Sequence, residues 1–200
     1  MTAIEDAMGT RRVVVRSRGD AQPDAYLRAS PERFSLIHFV AHAVVNREEP
    51  LQSAIILSGQ SSDYRLLARD VVSTPIRADL VTISSCRSAA ARSYAGEGLV
   101  GLSWAFLGAG ARNVIASLWD VNDRSTPSLM ASLYAGIARG DNPAEALRAA
   151  KLEMIHSGNV WRKPWYWGPF ALYTRSPESR PDGLIRRHPE LRAAMLSAHR

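Results

Sequence analysis

The chain is short of cysteine, of lysine and of uninterrupted apolar sequence, and each shortage removes a class of protein. Cys86 is the single cysteine among 200 residues, so no disulfide framework can form within the chain. The opening stretch MTAIEDAMGTRRVVVRSRGD lacks the apolar core of a signal peptide. No apolar run reaches the roughly 20 residues of a membrane span; even VGLSWAFLGAGARNVIASLW is broken by glycines and by Arg112 and Asn113. A cytoplasmic protein with no membrane partner is expected, in a reducing compartment where Cys86 stays a thiol.

Lys151 and Lys163 are the lysines of the chain, so almost all of its 25 basic residues are arginine, against 19 acidic residues and a formal charge of +6. The arginines are scattered without a dense run, and there is no recognised nucleic-acid-binding motif. The excess reads as a compositional bias towards arginine, and no nucleic-acid partner is expected. One cysteine without clustered His, Asp or Glu excludes the usual zinc patterns, and no glycine-rich phosphate loop is present. Neither a metal nor a cofactor is expected.

What is there suits one α/β domain, since 46% of the residues are apolar and the length supports one core. RVVVR (12–16), SLIHFVAH (35–42), DLVTISSC (79–86), NVIASLW (113–119) and PFALYT (169–174) read as strands. The second, third and fourth are rich in apolar residues without clean alternation, as strands covered on both faces are. Helical patterns lie between several of them. The expected architecture is therefore α/β, a mostly parallel sheet flanked by helices on both faces. GEGLVGLSWAFLGAGA (96–111) reads as a buried helix with Gly108 or Gly110 as its left-handed cap. Helices are also expected from Ser125 or Thr126, with Leu129, Met130, Leu133, Tyr134 and Ile137 on one face, and from Asp141 or Asn142 before Pro143. The polar SPESRPDG segment marks the end of the domain, giving a folded unit over 1–175 and a tail or loosely docked helix over 176–200.

In parallel sheets, functional groups gather where strands end at their carboxyl edge. His42 closes one expected strand and Cys86 another. If those strands are neighbours, an imidazole and a thiol face one crevice, as a cysteine nucleophile with a histidine base requires. The same residues also admit a plainer account, a packed cysteine and a hydrogen-bonded structural histidine. His38 lies four residues before His42 on the same side of the strand and reads as a structural partner. Glu97 opens the buried helix, where an acid favours the macrodipole and could also orient a site group. Trp161, Trp165, Tyr166 and Trp167, interleaved with prolines, are expected to cap the core.

LIHFVAHA, VTISSCRSA, GEGLVGLSWAFLGAGARNVIASLWDVNDRST, NPAEALRAAKLEM and WYWGPFALYT, five blocks in order between Leu36 and Thr174, resemble those of CHAT-domain proteases, relatives of the caspases and separases. The resemblance implies a caspase-like fold and a cysteine endopeptidase acting on protein or peptide substrates, with Cys86 as nucleophile and His42 as general base and acid. It also implies oxyanion donation from the backbone N–H groups of Cys86 and Ala43. The family typically has glycine directly after the histidine. Ala43 keeps the donor there and fails only if the backbone needs positive φ. By similarity to separases, Asp120 and Asp123 are candidates for an acidic pocket that receives arginine, although an Asp before a helix also serves as a cap or turn former. A basic pocket would instead draw on Arg87 or Arg124. Family members usually carry more sequence before RRVVVR and often follow helical repeats that recruit regulators. This implies regulation by a partner or an additional segment, in either a C-terminal piece of a longer product or a compact form whose exposed sheet edge another chain covers. The alternative is a catalytically inactive or truncated domain of this fold serving as an interaction scaffold.

Overall fold

The computed structural model describes residues 2–9, 13–46, 48–59, 64–84, 100–119 and 121–175. The helices are α1 (Thr2–Met8), α2 (Pro23–Leu27), α3 (Ala68–Val72), α4 (Val100–Ala109), α5 (Thr126–Arg139), α6 (Pro143–Ile155) and α7 (Pro164–Trp167). The strands are β1 (Leu36–Val40), β2 (His42–Val44), β3 (Ala54–Ile56), β4 (Arg65–Leu67), β5 (Leu80–Ser84), β6 (Asn113–Ser117) and β7 (Phe170–Thr174). The main sheet runs β1-β5-β6-β7, and a small sheet runs β2-β3-β4. β1, β5 and β6 pair in parallel, and β7 returns antiparallel on β6. This is the expected α/β, mostly parallel architecture.

Alternation along the strands divides the core in two. Phe39, Val81, Ile83, Val114 and Ala116 face α3, α4 and the small sheet, where Leu102 and Phe106 are fully buried. Leu80, Ile115 and Phe170 face α5 and α6, against Leu129, Leu133, Tyr134 and Leu147. Each buried Leu, Ile or Phe contributes roughly 1.5–3 kcal/mol by leaving water. Because α4 carries apolar residues around its circumference, it suits an enclosed position, as its sequence predicts.

The helix ends follow local chemistry. Asn142 caps α6 by accepting from the Ala144 and Glu145 N–H groups, while the Glu145 carboxylate takes the Asn142 N–H, a complete capping box. Ser125 occupies the cap position of α5 without a side-chain cap bond, and Asn122 Oδ1 accepts from the Arg124 and Ser125 N–H groups instead. At the end of α4, Ala111 N–H reaches the Phe106 carbonyl at 2.9 Å and Gly110 N–H the Leu107 carbonyl at 3.3 Å. That pair of bonds is a Schellman motif, and Gly110 is its left-handed residue.

Three sequence expectations need correction. RVVVR is no strand over its described residues, since Val13, Val14 and Val15 remain 43%, 41% and 37% exposed. β-branched residues favour a strand only where a partner and a buried face exist, and no strand among the described residues pairs with Val13, Val14 or Val15. SLIHFVAH is two strands rather than one. The chain bends at Ala41, and His42 does not close β1 but opens β2 opposite Ile56 in the small sheet. β3 and β4 were not anticipated, because three residues give too short a window for periodicity. The tail over 176–200 lies outside the described residues.

Gly110 has φ of +131°, and a Cβ there would stand 1.9 Å from the Ile76 carbonyl oxygen. Gly110→Ala is expected to destabilise the domain by roughly 3 kcal/mol, combining backbone strain with a clash against fixed main chain. Urea unfolding checks this; an unchanged midpoint would mean that the turn opens without cost.

Candidate active site

The carboxyl ends of the parallel strands define the edge on which the sequence places the candidate residues. β1 and β5 are neighbours, in register from Leu36 opposite Leu80 to Val40 opposite Ser84. His42 and Cys86 each follow two residues after the last of these pairs. Cys86 itself lies outside the described residues, as do Arg87, Glu97 and Asp120. His42 is exposed and lines a cavity of about 690 Å3 that runs along β1, with Val14, Tyr26, Phe39 and Leu57 among its walls. Ala43 is half-buried in β2 opposite Ile55. Among the described residues, positive φ outside glycine occurs only at Arg18 and Ser30, so Ala43 needs no left-handed backbone. Asp123 is exposed in the turn before α5, and Arg124 beside it is exposed too. Among the described residues no group of three or more His, Cys, Asp or Glu converges as a metal site would require.

The aromatic group before β7 divides. Trp161, Tyr166 and Trp167 pack, half-buried, against the core under α5 and α6. Lys151 reaches over the Trp167 ring, with Nζ 6.0 Å from its centroid, and donates to the Phe170 carbonyl at 2.6 Å. Its desolvation lowers the ammonium pKa. Trp165 is instead 60% exposed, its ring 6.2 Å from that of Trp119. Capping the core describes three of the four residues and not Trp165.

His38 is the structural partner its position suggests, and its contacts are more extensive than the sequence indicates. Nδ1 lies 2.9 Å from Tyr134 Oη, and Nε2 lies 3.1 Å from Ser84 Oγ. Tyr134 Oη is hydrogen-bonded to Thr82 Oγ1 at 3.1 Å, and Ser84 Oγ donates to the Phe39 carbonyl at 3.2 Å. Burial pushes the His38 pKa down to about 4 and raises that of Tyr134. Tyr134, Thr82 and Ser84 are the site-adjacent residues that sequence reasoning missed. Their signal was present: Thr82 and Ser84 interrupt an otherwise apolar strand at a spacing of two, on the face that His38 also uses.

The model of the CHAT domain matches this chain over residues 1–175. The chain therefore belongs to the CHAT-domain family, a caspase-like, peptidase-related group. Among curated proteins, it is 31% identical over 107 residues to tetratricopeptide repeat protein 28 of Mus musculus, covering 54% of this chain and 4% of that protein. The human protein of the same name is 29% identical over 107 residues, with the same coverage. The chain thus spans only a small fraction of the curated relatives it matches. No helix among the described residues is long and apolar enough to cross a membrane.

A neutral buried His38 makes stability depend on pH in a defined window. Unfolded, the imidazole takes up a proton below about pH 6.5; folded, it does so only near the lowered value of about 4. Its folded-state contribution is intact above pH 6.5 and is lost as the pH falls towards 4, by about 3 kcal/mol in all. Urea unfolding of the wild type and His38→Asn at several pH values should show their stability difference shrinking across this window. A constant difference would mean that His38 titrates normally when folded.

Proposed function

We propose that the domain is a cysteine endopeptidase that cleaves protein substrates through Cys86 and His42. The observation that carries this reading is the β1–β5 register, from which two neighbouring parallel strands release His42 and Cys86 after equal offsets. Membership of a peptidase-related family supports it.

In the proposed cycle, the Cys86 thiol passes its proton to His42 and the thiolate attacks the scissile carbonyl, forming a C–S bond. The oxyanion accepts from the backbone N–H groups of Cys86 and Ala43. Collapse breaks the C–N bond, and His42 gives its proton to the leaving amine. Water then attacks the thioester with His42 as base, and the carboxylate product leaves as the thiol is restored. This chemistry needs no cofactor. Asp120 and Asp123 are proposed to line an acidic pocket for an arginine side chain, with a partner protein regulating activity. The peptidase unit is proposed to occupy 1–175, and a cytoplasmic location suits a working thiol.

The first test is the rate of Cys86 alkylation by iodoacetamide against pH, on the wild type and His42→Ala. A histidine-paired thiolate reacts well below the free-thiol pKa of about 8.5, and the variant loses that reactivity. An ordinary thiol profile unchanged by His42→Ala would overturn the peptidase reading and favour an interaction scaffold.

A further inference from the structure

The polar residues under α5 are arranged in one chain. His38 is neutral, so its ring has one N–H and one lone pair for two hydroxyl neighbours. Ser84 gives its own proton to the Phe39 carbonyl, so it accepts from His38 Nε2–H. Nδ1 is then the acceptor and takes the Tyr134 proton. The Tyr134 oxygen stands 3.1 Å from the Thr82 hydroxyl, and with the phenol proton given to Nδ1 it is the Thr82 O–H that donates across that contact. With protons assigned this way, each is used once, and three elements are joined: β1 through His38 and Phe39, β5 through Thr82 and Ser84, and α5 through Tyr134.

The chain stands where it bears on the edge. Side chains facing α5 and α6 are apolar at the amino ends of the strands, with Leu36 and Leu80, and polar towards the carboxyl ends, with His38, Thr82 and Ser84. Ser84 is the last residue of β5 and pairs with Val40, the last of β1. It is 2% exposed, and its Oγ contacts two groups of β1 at once. Apolar packing at that end would resist separation of the strands but would not fix distance and direction as hydrogen bonds do.

We propose that Thr82, Tyr134, His38 and Ser84 form a positioning clasp that fixes the end of β5 against the end of β1, the two points from which the chain continues to Cys86 and to His42. The inference rests on the Cys86–His42 reading. These four are positioning residues: they act on the reaction through the strand ends and not on substrate. α5 becomes part of the active-site architecture through one oxygen atom of Tyr134.

The test extends the alkylation profile to Tyr134→Phe, Ser84→Ala and Leu147→Ala, each in the full chain. Tyr134→Phe removes one oxygen, and Ser84→Ala removes the bridge between His38 and the Phe39 carbonyl. Both are expected to shift the thiol profile towards that of a free cysteine, with reactivity near pH 6 falling roughly tenfold per pKa unit gained. Leu147→Ala removes packing beneath α6 and none of the clasp's hydrogen bonds; it is expected to lower the melting temperature and keep the wild-type profile. If Ser84→Ala does not fold, Tyr134→Phe alone decides. Wild-type profiles in the clasp variants, with His42→Ala still abolishing low-pH reactivity, would overturn the clasp and leave the dyad standing. A free-cysteine profile in the wild type, unchanged by His42→Ala, would overturn the dyad, and the positioning role with it.

Discussion

The in-register parallel pairing of β1 with β5 is the constraint on which the rest of the domain depends. Because side chains alternate along a strand, the five pairs from Leu36–Leu80 to Val40–Ser84 decide which residues face α4 and which face α5. They also decide where each strand leaves the sheet. A slip of one residue in either strand would turn its alternate set to the wrong layer. In β5, Val81 and Ile83 would leave the cluster around Phe106, while Thr82 and Ser84 would enter it. Each hydroxyl stranded there would cost about 1–3 kcal/mol. The polar residues therefore act as a register lock as well as a clasp, since one register alone satisfies both layers.

Two kinds of stabilisation are separated along those strands. Their amino ends are held by apolar burial, with Leu80 fully buried among α5 and α6 side chains. That term is strong and non-directional, so it tolerates small sliding. The carboxyl end under α5 is held by hydrogen bonds that adjoin a neutral histidine. Each such bond adds only about 0.5–1.5 kcal/mol net, so the polar end contributes less stability than apolar residues could. Its contribution lies in fixed direction, which apolar burial does not supply.

Much of this was legible in the sequence. The apolar runs of β1, β5, β6 and β7 and the proline-marked starts of α5 and α6 were strong patterns, and Gly110 carried its own signal as a helix stop. The break at Ala41 was not legible, because nothing in SLIHFVAH differs from a continuous strand until a second sheet is there to receive His42. Val13 to Val15 misled for the complementary reason, a strong local preference with no strand among the described residues to satisfy it. His42 and Cys86 could be singled out as candidate reactive residues, although His42 opens β2 and Cys86 lies outside the described residues. Tyr134 could not be connected to them, since its place on the apolar face of an amphipathic helix looks like ordinary packing. Only the fold brings its hydroxyl to within 2.9 Å of a histidine 96 positions away in sequence.

The bend at Ala41 has a consequence for how the candidate base is held. His42 belongs to the small sheet through Ile56, whereas the strand leading to Cys86 belongs to the main sheet. Three-residue strands cannot hold a sheet together in water by themselves, so β2, β3 and β4 depend on the apolar cluster they share with β5 and α4, through Ile55 and Leu66 on one side and Val81 and Phe106 on the other. The placement of His42 relative to the end of β5 is thus set by two linkages of different character. Docking of the small sheet onto the α4-side core carries His42, and the hydrogen bonds beneath α5 hold the end of β5 at Ser84. Phe39 takes part in both, its ring in the α4-side cluster and its carbonyl bonded to Ser84. A disturbance on either face of the sheet can reach the candidate site through β1, the strand the two linkages have in common.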